Sequence, residues 1–153
     1  MTEEDARYMR MAIDASREAL RAGNMPYGAV MVSADGGLVH VSQNNQVTSS
    51  DCTGHAETVL IREICAAYGA GTLAGATVYA SGEPCAMCAG ALFWAKVARV
   101  VFGASNAAIM RVGGPPSLSL DSAAVLASGS HQVKVEGPLL EEEAVAVLQE
   151  KMA

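Results

Sequence analysis

The sequence predicts an α/β fold in which a mixed central sheet carries helices on both faces. Segments with helical and strand-like hydrophobic periodicity alternate in the order helix, strand, strand, helix, strand, helix, strand over the first two thirds of the chain. The composition agrees, because 51% hydrophobic and 17% charged residues are typical of a compact globular protein. At 153 residues the chain is expected to form a single domain over 1–153.

The N-terminal segment is predicted to form the first helix, and apolar residues recur at helical spacing over its residues 7–20. Thr2 is the expected N-cap, acidic residues follow it in the first turn, and Gly23-Asn24 ends the helix. An acidic, amphipathic start is not typical of a signal peptide. We also expect no membrane span, because no apolar stretch is clean enough to cross a bilayer.

The later elements are predicted from changes of hydrophobic period and from turn residues. Strands are expected at residues 27–33, 38–42, 77–81, 99–103 and 131–136. Helices are expected from His55 to about Tyr68 and at residues 85–96, 106–111, 121–127 and 139–152. A glycine-containing turn at residues 34–37 should join the first two strands into a hairpin, and Gly113-Gly114-Pro115-Pro116 should form a rigid loop.

A His-Ala-Glu motif at residues 55–57 and a Pro-Cys-Ala-Met-Cys motif at residues 84–88 contain the residue types of a catalytic zinc site. One imidazole, His55, and two thiolates, Cys85 and Cys88, leave the fourth position of a tetrahedral zinc open for water. Cys85 and Cys88 share one face of a helix start, where the positive end of the helix favours thiolates. Glu57 is too close to His55 in sequence to be an equivalent ligand, so we expect it to move a proton between water and a departing amine.

Each half of this pattern has an ordinary interpretation. A Cys-x-x-Cys pair occurs in redox proteins, and a His-x-Glu motif occurs at the start of many helices. A structural zinc usually has four Cys or His ligands, and the spare cysteines Cys52 and Cys65 form no second pair; Cys65 is expected in the core. A non-catalytic zinc-binding interaction module is the alternative of another class, but such a zinc has no need of Glu57.

The two motifs, in this order, resemble those of the cytidine and deoxycytidylate deaminase superfamily. The similarity covers about residues 1–104 and points to the branch with bacterial guanine deaminases, fungal-type cytosine deaminases and tRNA adenosine deaminases. It implies a three-layer α-β-α fold with about five strands. It also implies a Zn2+ cofactor on His55, Cys85 and Cys88, Glu57 as proton shuttle, and a homodimer.

The resemblance also suggests substrate contacts. Asn44 matches an Asn that hydrogen-bonds the base, and the backbone around Gly54 and Cys85 matches the pocket lining. Tyr27 and Trp94 match aromatic positions of the guanine deaminase branch, where two rings would enclose a flat heterocycle. The alternatives are that Asn44 caps its own turn and that both aromatic rings fill the core.

The substrate is left open by departures from the guanine deaminase pattern. Residues 105–111 contain no acid, and the segment 149–153 contains no aromatic residue, where that branch has both. A guanine-like purine is therefore favoured, with cytosine or an s-triazine close behind and a pterin as a further option.

The charge balance favours a small-molecule heterocyclic base over nucleic acid. The chain has 10 basic and 16 acidic residues and a pI near 4.9, whereas a tRNA-binding protein needs clustered basic residues. Nucleic acid is thus an unlikely partner, and tRNA adenosine deamination is the alternative enzymatic function. Four cysteines without a disulfide pattern suit a cytoplasmic protein.

Overall fold

The computed structural model describes residues 1–114 and 117–152, with side chains up to residue 150. Pro115 and Pro116 of the predicted rigid loop lie outside the described residues. The helices are α1 (Glu3–Arg21), α2 (Ala56–Tyr68), α3 (Ala86–Trp94), α4 (Asn106–Arg111), α5 (Ser122–Ala127) and α6 (Glu141–Met152), and a short 3-10 helix spans Ala70–Leu73. The strands are β1 (Gly28–Val32), β2 (Val39–Gln43), β3 (Thr77–Gly82), β4 (Arg99–Ala104) and β5 (Lys134–Glu136).

The five strands form one mixed sheet in the order β2-β1-β3-β4-β5, which confirms the predicted fold class. The hairpin strands β1 and β2 pair antiparallel, and β1 pairs antiparallel with β3. The remaining pairs, β3 with β4 and β4 with β5, are parallel. Parallel neighbours need a crossover connection, and α3 supplies it between β3 and β4.

Successive side chains of the strands enter two separate apolar layers. Val30, Tyr79 and Val101 pack on the face covered by α1 and α6. Their neighbours Met31 and Val78 pack on the opposite face against α2, α3 and α5. Because both faces of the sheet are covered, the central strands are buried along almost their whole length, which produces three layers.

Most element boundaries lie within a few residues of those predicted. The largest shift among the strands is at β5, predicted over 131–136 but formed only at Lys134–Glu136. This edge strand pairs with β4 over three positions, and His131 lies in the preceding bend, where its ring stacks on Phe93. Helix α1 begins at Glu3, directly after the predicted N-cap Thr2, and Thr2 and Asp5 cap it reciprocally. Among the described residues, no helix has both the length and the apolar character needed to cross a bilayer.

Asp5 connects the cap of α1 to the sheet. Both carboxylate oxygens accept hydrogen bonds from the Arg99 guanidinium, at 2.8 and 3.0 Å, and the Tyr79 hydroxyl donates a further one at 2.7 Å. The Asp5 side chain is only 6% exposed. The hydrogen bonds from Arg99, with those from Thr2 and Tyr79, hold the pKa of Asp5 well below its usual range despite burial.

Replacing Asp5 with asparagine is expected to lower the free energy of unfolding at pH 7 by about 2–3 kcal/mol, because Arg99 loses its buried carboxylate. An acid with a lowered folded-state pKa stabilises the protein above its unfolded pKa of about 3.9, and this contribution is lost as the pH falls. Urea unfolding at pH 7 and pH 3 measures both effects. Glu4→Gln, exposed on the same turn, is the control and should change stability by less than about 0.5 kcal/mol; an Asp5→Asn deficit that grows on acidification would contradict this account.

Candidate metal centre and active site

The predicted site residues gather at one edge of the sheet. The strand register places the start of β1, the end of β2 and the ends of β3 and β4 at this same edge, because Gly28 pairs with Gln43 and Gly82 with Ala104. Helices α2 and α3 also begin here. Ligand sites of α/β sheets typically lie beyond the carboxyl ends of parallel strands, where loops and helix starts supply polar groups.

The three predicted zinc ligands converge at the starts of α2 and α3. His55 is the N-cap residue of α2, Cys85 is the N-cap residue of α3, and Cys88 lies in the first turn of α3. Their ligand atoms all lie within 4.8 Å of one another. The Nδ1 atom of His55 is 3.6 Å from Cys85 Sγ and 3.4 Å from Cys88 Sγ.

These separations fit a tetrahedral zinc. Zn–N and Zn–S bonds of about 2.0 and 2.3 Å at a tetrahedral angle separate the nitrogen and sulfur atoms by about 3.5 Å. A set of one nitrogen and two sulfur donors suits zinc and leaves one position open. His55, Cys85 and Cys88 would therefore hold the ion, and Cys52 and Cys65 do not belong to the cluster.

A hydrogen bond between the two cysteines of the cluster shifts the pKa values of their thiols in opposite directions. Their mutual hydrogen bond lowers the pKa of Cys85 to about 4 and raises the pKa of Cys88, which burial raises further. One sulfur is thus already a thiolate, and a metal that binds both sulfurs would displace the remaining proton. Cys88 is fully buried, whereas Cys85 is half-buried and lines the neighbouring cavity.

Glu57 lies beside the cluster with only 6% of its surface exposed. Burial is the main cause that raises the pKa of Glu57 to about 7, and the neighbouring Cys85 thiolate raises it further while His55 opposes both. A carboxyl group that titrates near neutrality both accepts and donates protons at physiological pH. This is the property that the sequence predicts for Glu57.

A cavity of about 360 Å³ opens over His55, Glu57 and Cys85. The rest of its described wall comes from five separate segments of the chain and consists of Met25, Tyr27, Asn44, Gln46, Gly82, Glu83, Asn106, Ile109 and Ser117. No lysine or arginine lines it among the described residues. A cavity of this volume, with mixed apolar and amide walls, suits a small heterocycle.

Tyr27 and Asn44, two of the residues expected to contact the substrate, both line this cavity. Gly82 leaves room for the Tyr27 ring, since a Cβ atom at Gly82 would lie 2.7 Å from the ring. Burial beside Glu57 raises the pKa of Tyr27 to about 12, so its hydroxyl stays protonated. Asn44 is 1% exposed, and its Oδ1 accepts the backbone N–H of Gln46 at 3.0 Å. Asn44 therefore caps its own turn, the alternative considered above, and also faces the pocket.

Residues 2–104 match the sequence model of the cytidine and deoxycytidylate deaminase zinc-binding region. The chain belongs to this deaminase family. The matched segment contains all three zinc-ligand candidates and Glu57, and it ends with β4.

Relatives of this deaminase act on different substrates. A probable cytosine deaminase of Schizosaccharomyces pombe is 36% identical over 95% of this chain and 90% of its own length. The tRNA-specific adenosine deaminase of Bacillus subtilis is 37% identical over 95% of this chain and 86% of its own length. The structure of the guanine deaminase of Bacillus subtilis has a TM-score of 0.67 at 29% identity and covers 100% of this chain and 96% of that one.

Two residues of the deaminase that were expected to contact the substrate, Trp94 and Gly54, do not line this pocket. Trp94, at the end of α3, is 80% exposed and packs edge-on against Phe93, so it belongs neither to the core nor to this pocket wall. Gly54 lies in the loop before α2, where any side chain would collide with Asn45. Its backbone closes this loop by bonding Asn45 and Asp51, so Gly54 shapes the pocket indirectly.

Glu83 is a pocket residue that the sequence analysis missed. One carboxylate oxygen accepts the backbone N–H of Asn106 at the start of α4, and the other accepts the N–H and hydroxyl of Ser122 at the start of α5. Glu83 thus fixes α4 and α5 against the zinc-ligand motif. In the sequence, its position directly before Pro84-Cys85 could have indicated that Glu83 lies near the site.

Proposed function

We propose that this chain is a zinc-dependent hydrolytic deaminase of a free aminated nucleobase or a related heterocycle, with release of ammonia. The observation that carries the proposal is the position of Glu57. It is a buried carboxyl group with a pKa near 7, beside a three-ligand metal cluster and at the base of a small cavity. A non-catalytic zinc module has no use for such a group.

In the proposed reaction, water replaces an exocyclic amine and ammonia leaves. Zinc, when bound, supplies Lewis acidity that lowers the pKa of water toward neutrality. The Glu57 carboxylate accepts a proton from the attacking water and delivers it to the nitrogen of the departing amine, which leaves as ammonia. Glu57 ends the cycle as it began, so it works as a shuttle. Burial keeps bulk water from replacing it as the proton acceptor.

The side chains of the pocket wall orient the ring. Tyr27 offers an aromatic face to a flat heterocycle, and Ile109 adds an apolar contact. The Asn44 amide offers both a donor and an acceptor to a ring edge. A guanine-like purine is our first choice, with cytosine or an s-triazine next; relatives named as a guanine and a cytosine deaminase support both bases as candidates.

tRNA adenosine deamination is the second candidate, favoured by the 37% identity to the Bacillus subtilis tRNA-specific enzyme. Charge argues against it. The chain has a net charge of −6, and the described pocket wall contains two glutamates and no lysine or arginine. Neutralising a tRNA backbone requires several lysines or arginines near the site.

Ammonia release by the zinc-loaded protein tests the proposal. The panel is guanine, cytosine, adenine, ammeline, pterin and their available nucleosides, with an adenosine-bearing anticodon stem-loop of tRNA alongside and Glu57→Ala as the blank. Turnover of a free base that vanishes in the blank supports the proposed function. Turnover of the stem-loop alone would replace it with the second candidate, and no turnover of any substrate would overturn both.

We further propose a homodimer whose interface includes the outer face of α3. This helix is apolar on all sides, yet only Cys88, Ala89 and Leu92 are fully buried within the chain. A helix apolar all round is normally buried all round, so a second copy would cover the rest. Leu92 and Phe93 pack in or against the core, and Trp94 is the exposed anchor.

Replacing Trp94 with arginine is expected to raise the dimer dissociation constant by about 100-fold, since buried tryptophans dominate such interfaces. Sedimentation velocity over a range of concentrations measures the change. Tyr68→Arg is the matched control, because Tyr68 is also an exposed aromatic residue, 52% exposed, but lies at the end of α2. A monomeric wild type, or equal dissociation constants for the wild type and Trp94→Arg, would refute this interface.

A further inference from the structure

The side chains of Asn44 and Gln46 form a paired amide at the pocket wall. Asn44 Nδ2 donates to Gln46 Oε1 at 2.7 Å, and Gln46 N donates to Asn44 Oδ1 at 3.0 Å. Both side chains line the cavity above the metal cluster. Two residues on one loop thus hold each other in a closed pair of hydrogen bonds.

The amide groups of this pair have one favoured orientation. Rotating the Asn44 amide by 180° would place its NH2 group against the Gln46 N–H and its oxygen against Gln46 Oε1, so two hydrogen bonds would be replaced by two repulsive contacts. The loss of both bonds at a buried residue is costly. Asn44 is held further because its backbone N–H donates to the Tyr27 carbonyl at 3.0 Å.

The orientation of the Asn44 amide determines which atom of the Gln46 amide is left without a partner. Because Gln46 Oε1 accepts from Asn44, the Gln46 NH2 group is the end left for a ligand. Among the described residues, no group accepts a hydrogen bond from Gln46 Nε2. Gln46 is only partly exposed and lines the cavity, so its two N–H donors are available to a molecule bound there.

We propose that Gln46 is a specificity-determining residue that selects heterocycles with an exocyclic oxo group over those with an amine at the same position. The proposal rests on the proposed function and names its substrate class: an amino-oxo ring, in which the amine is removed and the oxo group is bound. A carbonyl oxygen accepts hydrogen bonds from the Gln46 NH2 group. An amine in its place would point its own N–H groups at those of Gln46, so neither group would find an acceptor.

Matched substrate pairs test this preference, because each pair differs by one oxo-to-amino exchange. The pairs are guanine with 2,6-diaminopurine, cytosine with 2,4-diaminopyrimidine, and ammeline with melamine. Gln46→Glu is the informative variant: one carboxylate oxygen can still accept from Asn44, while the other presents an acceptor to the ligand. We expect the oxo-over-amino ratio of kcat/KM to fall by about 10–100-fold, mainly through KM, with zinc content and Tm unchanged.

Binding provides a second readout that does not require turnover. In a Glu57→Ala background, calorimetric dissociation constants for each pair should show the same loss of preference when Gln46→Glu is added. Gln46→Met, which removes both the donor and the contact to Asn44, should weaken oxo ligands without favouring amino ligands. An oxo-over-amino ratio that Gln46→Glu leaves unchanged, in an enzyme that turns over free bases, would overturn this inference alone, whereas no turnover of any base by the wild type would overturn the proposed function itself.

Discussion

Replacing Glu57 with glutamine is expected to lower kcat for deamination by about 10²–10⁴-fold, the usual contribution of a positioned general acid–base. Glutamine has nearly the same shape, so the cavity and the zinc ligands stay in place, but an amide cannot accept the proton of water or deliver it to the amine. The loss should appear in kcat more than in KM, because the proton moves in the transition state. Steady-state ammonia release with the preferred base measures both constants.

The zinc content and the unfolding temperature of Glu57→Gln are the controls for this prediction. Glu57→Gln should bind zinc at the wild-type ratio, since Glu57 is outside the ligand cluster. It should also unfold at the same or a higher temperature, because removing a buried carboxyl group relieves a desolvation cost. A variant that retains zinc and more than about a tenth of wild-type kcat would show that Glu57 is not the proton shuttle.

Replacing Cys88 with serine is expected to abolish zinc binding and, with it, activity. Cys88 is fully buried at the start of α3 and is 3.4 Å from the only imidazole of the cluster. A serine hydroxyl does not ionise near neutral pH, so only two of the three protein ligands would remain. We expect metal analysis to fall from about one zinc per chain to below about a tenth.

Zinc loss should also lower the free energy of unfolding by several kcal/mol, since the ion joins the starts of α2 and α3 and binds only the folded chain strongly. Wild-type protein treated with a chelator should then unfold like Cys88→Ser. Cys52→Ser and Cys65→Ser are matched controls, because neither cysteine belongs to the cluster. Full zinc content in Cys88→Ser, or zinc loss in either control, would contradict the assignment of ligands.

The chemistry of the site could be predicted from sequence because it depends on residue type and short-range spacing. The His-x-Glu spacing puts His55 at the start of a helix and Glu57 in its first turn, and Cys-x-x-Cys places two sulfurs on one helix face. These relations hold within single helices. The convergence of His55 with Cys85 across 30 positions followed from the family motif rather than from local physics.

The pocket wall could not be predicted in the same way. Glu83 and Asn106 approach one another because β3 and β4 are parallel neighbours that end together, and nothing in either segment alone indicates this. The direction of Trp94 was also beyond the sequence, since an all-apolar helix has no periodicity to show which side faces the core. Only packing determined that Leu92 is buried and Trp94 exposed.

The sequence by itself determined the α/β class, the order of the elements, the metal-ligand types and Glu57 as the candidate for proton transfer, because each depends on hydrophobic period or on functional groups a few residues apart. The tertiary structure alone decided which residues line the pocket and in which direction their side chains donate hydrogen bonds. Asn44 and Gln46 were visible only as polar loop residues, and the direction in which their amides donate emerged from two hydrogen bonds that form when the loop closes over the sheet edge. Hydrogen-bond direction depends on where both partners lie in space, so residue types alone do not determine it.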